Sequence, residues 1–163
     1  MKGQITIEYL LAFTIIIGVL SYIYLNYNRF IQPFIEIIEK EDKSAEAFQI
    51  SELLLNDPGE PQNWHSTGNI QRIGLAEVNS KQNYLSLDKI NALNGLCSNY
   101  NEVKRLIGAE RNFHLFIFSI DNSGNRNLLA SCLPPQIVKE QINITISRYA
   151  VYQNGLMELM VQI

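Results

Sequence analysis

The pattern of apolar and polar positions separates the start of the chain from the rest. From Tyr9 to Leu25 the sequence is YLLAFTIIIGVLSYIYL, without a charged residue, and extension back to Ile5 adds only Glu8. A helix over residues 5–25 would be roughly 31 Å long, at about 1.5 Å per residue, which is enough to cross the hydrocarbon core of a bilayer. The pattern therefore predicts a transmembrane helix.

Two other interpretations of this apolar run fit less well. A buried core helix seldom runs so far without a polar face. A cleaved secretory signal has a shorter apolar stretch followed by a small-residue cleavage site. Here the run continues into NYNRFIQPF, which has no such site.

A helical period of three or four residues continues from Phe30 to Leu55. Pro33 interrupts it and predicts a kink or a break, because proline lacks a backbone donor and clashes with the preceding turn. Residues 39–44, EKEDKS, are charged on all sides, which is typical of solvated helix surface; a docking site or a coiled-coil stalk are the alternatives. We expect an amphipathic helix that ends before Asp57-Pro58-Gly59.

A loop rich in turn formers follows, with the sequence NDPGEPQNWHSTGN over residues 56–69. Trp64, the only tryptophan, either packs this loop onto the domain or serves as a platform for a ligand. His65 beside it has no second metal ligand within reach in the sequence. We therefore predict no metal site there.

The remainder mixes strands with short helices. Residues 70–78 predict a first strand, and residues 87–96 and 99–107 predict helices. Residues 113–120, FHLFIFSI, precede turn formers and then Leu128–Cys132, which is a hairpin pattern.

Two more strands are predicted at the end of the chain. Apolar residues at 142, 144 and 146 alternate with polar ones, as in a strand with one solvated face. An Asn-Gly turn then leads into the last strand, LMELMVQI. The expected fold class is α+β, with a long N-terminal helix packed on a C-terminal antiparallel sheet with short helices.

Composition and charge exclude several classes of function. With 47% hydrophobic and 18% charged residues, the chain is neither intrinsically disordered nor a multi-span membrane protein. A net charge of −3 argues against binding of nucleic acid, which needs clustered Lys and Arg. His65 and His114 lie in unrelated contexts, and none of the common catalytic, phosphate-binding or metal-binding motifs occurs. We therefore predict no catalytic residues, no metal and no cofactor.

The residues before the apolar run carry the most specific pattern. Lys2-Gly3 followed by QITIEYLL resembles the class III signal peptide of archaeal type IV pilin-like proteins. In that family a prepilin peptidase cuts between the Gly and the Gln and leaves the apolar segment on the mature protein. The resemblance implies cleavage between Gly3 and Gln4, with Lys2, Thr6 and Glu8 at the family's processing and assembly positions. Thr6 stands where Ser is commoner.

Glu8 needs a physical reason, because a carboxylate at the centre of a membrane helix costs about 2.5 to 3.5 kcal/mol and less near the boundary. It either lies at the headgroup level or pairs with a cation, and the new amino terminus at Gln4 is the obvious candidate. The single basic residue before the run, Lys2, favours a cytoplasmic N-terminus and an exterior C-terminal domain.

The resemblance implies a pilin-like fold and a filament function. Residues 1–3 would be the signal peptide, 4–28 the transmembrane and filament-core helix, 29–56 its amphipathic extension and 57–163 an extracellular α+β domain. The partners would be the membrane, prepilin peptidase and other pilin subunits. The alternative is a single-pass anchored domain that binds a surface ligand and never polymerises.

Two further sites are suggested in the exterior part. Cys97 and Cys132 either form a disulfide, which persists in an oxidising environment, or remain two unpaired thiols. Asn143-Ile144-Thr145 is an N-glycosylation sequon, and the resemblance to glycosylated archaeal pilins favours its use. Sequons also occur by chance and are less accessible within strands.

Overall fold

The computed structural model describes residues 2–78, 81, 83–135, 144–153 and 155–163, and of residues 2–6 the backbone alone. The chain divides into two compact units, Met1–Glu41 and Asp42–Ile163. A single long helix, α1 (Lys2–Asn56), contributes residues to both units. Residues 42–56, the end of the predicted helix extension, therefore belong to the second unit.

The helices and strands after α1 all lie in the second unit. They follow in the order α2 (Trp64–Thr67), α3 (Leu87–Leu96), a 3₁₀ turn (Cys97–Asn99), α4 (Tyr100–Ile107), β1 (His114–Ile120), β2 (Arg126–Cys132), β3 (Thr145–Tyr152) and β4 (Gly155–Gln162). This arrangement confirms the predicted fold class, a long N-terminal helix with a C-terminal antiparallel sheet and short helices.

The helix α1 continues through Pro33. Of the predicted kink or break, the break is therefore wrong. A proline inside a helix removes one backbone donor, which here weakens the helix without ending it.

The four strands form one antiparallel sheet in the order β2-β1-β4-β3. Ile117 lies opposite Leu159 on β4, and Ala150 on β3 lies opposite Met157. The β1–β2 register shifts by one residue beyond Ile117, which leaves a bulge in β2. Successive residues of the regular strands β1, β3 and β4 lie on opposite faces of the sheet.

One face of the sheet packs into a core that includes the end of α1. Ala47, Ile50 and Leu54 of the helix are buried in the same cluster as residues from all four strands. These strand residues include Leu115, Ile117, Ala130, Ala150, Met157, Leu159 and Val161, and the cluster also takes in Ile90, Leu93, Val103 and Leu106 of α3 and α4. The end of α1 is therefore a core element of the second unit.

Residues 70–78 do not form the predicted strand and make only isolated bridges. Leu75 donates its N–H to the carbonyl of Leu54, 3.0 Å away, and Ala76 donates to that of Asp57 at 3.1 Å. Gly74 lies so close to the main chain of Asp57 that a Cβ would overlap it. Main-chain groups of this segment therefore bond to the end of α1 and the following loop, so they are not available for pairing with a strand of the sheet.

Trp64 fixes the same loop. Its side chain is 1% exposed, and its indole Nε1 donates to the carbonyl of Gly74 at 2.8 Å. The tryptophan is therefore a packing residue, which confirms the first of the two interpretations. A buried indole needs such a partner for its N–H.

Lys89 also fixes the loop that follows α1. Its buried ammonium group donates to the carbonyls of Pro58, at 2.8 Å, and Ala76, at 2.7 Å. Burial lowers the pKa of Lys89, opposed by the charges of Glu77 and Asp57. A charged donor can be kept in the interior here because two carbonyls satisfy it.

Glu46 ties α1 to the segment before β1. Its Oε1 accepts the N–H groups of Glu110, at 2.7 Å, and Arg111, at 2.9 Å, and its Oε2 accepts Nη1 of Arg111 at 2.9 Å. Burial raises the pKa of Glu46, but the hydrogen bonds from Arg111 and Glu110 outweigh it, so the pKa lies below its ordinary value. The ionised form is therefore stabilised by folding.

We predict that Glu46→Gln lowers the free energy of unfolding of the second unit at pH 7 by about 1–2 kcal/mol, since charge-assisted hydrogen bonds are lost. Because the folded pKa is depressed, this stabilisation is present above the unfolded pKa and is lost as the pH falls through the folded value. The difference between wild type and variant should thus shrink below about pH 4.5. Urea unfolding of the full chain in detergent, followed by Trp64 fluorescence, measures it.

Glu102→Gln is the matched control for this prediction. Glu102 pairs with Arg105 on the exposed surface of α4 and reaches no other element. Its replacement should leave the urea midpoint almost unchanged at both pH values. An equal loss of stability in both variants at pH 7 would contradict the role given to Glu46.

Candidate functional site

The surface of α1 in the first unit is apolar and uncovered by the described part of the chain. An 18-residue window of this helix has a mean hydropathy of 1.9, and none of it is buried. The exposed side chains include Leu10, Leu11, Phe13, Ile15, Ile16, Val19, Leu20, Ile23 and Leu25. The helix is long and apolar enough to span a membrane.

Two polar side chains in and just after the apolar run bond to the main chain of the helix itself. The Thr14 hydroxyl donates to the carbonyl of Leu10, and the Asn26 amide donates to that of Tyr22, each at 2.8 Å. Such bonds to the preceding turn lower the cost of a polar group in hydrocarbon. At these two positions the polar groups therefore do not oppose an apolar surrounding.

The predicted cleavage and assembly residues lie in the first turns of α1. Lys2, Gly3, Gln4 and Thr6 are helical in backbone, and their side chains lie outside what the structure describes. Glu8 is exposed on the same helix, immediately before the uncharged run. Glu8 follows Gln4 by four positions, about one helical turn along the backbone.

Cys97 and Cys132 form a disulfide, with 4.9 Å between their Cα atoms. Cys97 begins the 3₁₀ turn after α3, and Cys132 ends β2. The bond therefore ties the helical layer to an edge strand of the sheet. The sequence left open whether the two cysteines form a disulfide or remain unpaired thiols, and in the structure they form the disulfide.

The remaining predicted positions do not converge on a site. Asn143, the sequon residue, lies outside the described residues. His65 is exposed in α2, and His114 begins β1 on the face of the sheet opposite the core. Among the residues that the structure describes, no group of three or more His, Cys, Asp or Glu side chains could hold a metal ion.

Sequence reasoning missed an open cleft of about 850 Å³ beside the end of α1. Its charged groups are paired: Arg72 Nε lies 2.9 Å from Asp57 and its Nη1 lies 3.6 Å from Glu60, while Glu52 pairs with Arg148 of β3. The turn-rich NDPGEP sequence was the only indication of it. Each carboxylate that these pairs involve therefore has an arginine partner, with Arg72 shared between Asp57 and Glu60.

Sequence reasoning also missed a buried carboxylate on the outer face of the sheet, which pairs with a partly exposed arginine. Glu158 is 1% exposed, and its Oε2 lies 3.0 Å from Nε of Arg126, with Nη2 of Arg126 3.3 Å from Oε1. The alternation in LMELMV places this residue on the face away from the core, where a solvated carboxylate is expected. Neighbouring side chains cover it instead, because this outer face is itself largely apolar at Phe116, Phe118 and Met160.

We predict that replacing both cysteines by serine lowers the free energy of unfolding by about 3 to 4 kcal/mol, since the bond closes a long loop in the unfolded chain. The sequence separation of the pair is 35 residues. Urea unfolding followed by Trp64 fluorescence measures the loss. Ser98→Ala, next to Cys97, is the control, since its exposed hydroxyl makes only a local bond to Gly95.

A thiol titration checks the same bond directly. Unfolded but unreduced protein should show no free thiol, because the described chain contains no free cysteine. Two reactive thiols per chain would contradict the disulfide.

No protein-family model, curated protein or solved structure matches the chain. Similarity therefore assigns no family to either unit. Function has to be argued from the first turns of α1 and from the surfaces described above.

Proposed function

We propose that this chain is a structural subunit, a pilin or minor pilin, of an archaeal type IV pilus-like surface filament. Prepilin peptidase would cut it between Gly3 and Gln4, and the mature subunits would assemble through the apolar part of α1. The second unit, Asp42–Ile163, would then lie outside the cell on the filament surface.

The observation that carries this proposal is the uncovered apolar surface of α1. A surface of this length is stable only in lipid or against other apolar helices, since exposure to water costs about 25 cal/mol per Å². A membrane-resident precursor and a filament of bundled helices provide these two environments in succession. The small residues Ala12, Gly18 and Ser21 allow close approach of neighbouring helices.

The first turns of the helix support the processing step. The Lys2-Gly3-Gln4 junction has the family's cleavage pattern, and Glu8 lies one turn after the new amino terminus. A carboxylate in an apolar bundle requires a cation, and the Gln4 amine of the same or a neighbouring subunit supplies one. This pairing would set the register between helices.

The disulfide supports the proposed orientation. Lys2 before the apolar run favours a cytoplasmic N-terminus, which puts the second unit outside. The Cys97–Cys132 bond is consistent with that side, because disulfides persist outside the reducing cytoplasm. The sequon at Asn143 would be available for glycosylation there.

A non-polymerising anchored domain is the second candidate function. The second unit has a complete core and its own disulfide, more structure than an inert filament coat needs. Such a protein would bind a partner or surface ligand through this unit. It would be recovered only from detergent-soluble membranes, whereas a subunit would be recovered from sheared filaments.

We predict that membranes containing the full chain, treated with prepilin peptidase, yield a product whose N-terminal residue is Gln4. Gly3→Leu should abolish cleavage, because the large side chain obstructs the scissile bond, and Gly18→Ala, inside the helix, should leave it unchanged. N-terminal sequencing and mass spectrometry measure the product. Persistence of Met1 or Lys2 on the surface-exposed protein would overturn the processing step.

We further predict that Glu8→Ala leaves cleavage intact and reduces filament yield at least tenfold, since the new amine would lose its partner. Glu36→Ala, on the same helix beyond the apolar run, is the control and should leave the yield unchanged. The measurement is the amount of this chain in sheared, sedimented filaments. Equal yields from both variants would contradict a role of Glu8 in assembly.

A further inference from the structure

We draw no further inference here: the strongest candidate, the apolar patch of Phe116, Phe118, Met160 and Tyr149 on the outer face of the sheet, carries nothing because nothing in the structure shows what covers it.

Discussion

The structure depends on one constraint: the apolar surface of α1 in the first unit has no cover within the described chain. The apolar run itself suits an apolar surrounding. Thr14 and Asn26 bond to the helix's own carbonyls, and charges are absent from Tyr9 to Leu25. Such a helix resides in lipid or against similar helices, and the proposed change from precursor to filament subunit replaces one apolar environment by another.

The second unit is built so that it does not depend on this surrounding. It takes the end of α1 into its own core through Ala47, Ile50 and Leu54. Polar contacts then hold neighbouring segments against that helix end. Glu46 binds the segment before β1, and Lys89 and the Trp64 indole bind the loop after the helix. The disulfide joins the helical layer to the sheet. Burial and internal hydrogen bonds therefore stabilise this unit without any membrane contact.

The elements that were predicted well are those in which local pattern and burial agree. The strands His114–Ile120 and Gly155–Gln162 are rich in apolar residues next to turn formers, and the sheet buries one face of each. Residues 70–78 have a similar composition, but Gly74 lies against Asp57, and this tertiary contact is invisible in the sequence. The same holds for Glu158, whose burial depends on neighbours from other strands. In the candidate site, the apolar run and Glu8 could be identified from the sequence because they lie next to each other in the chain.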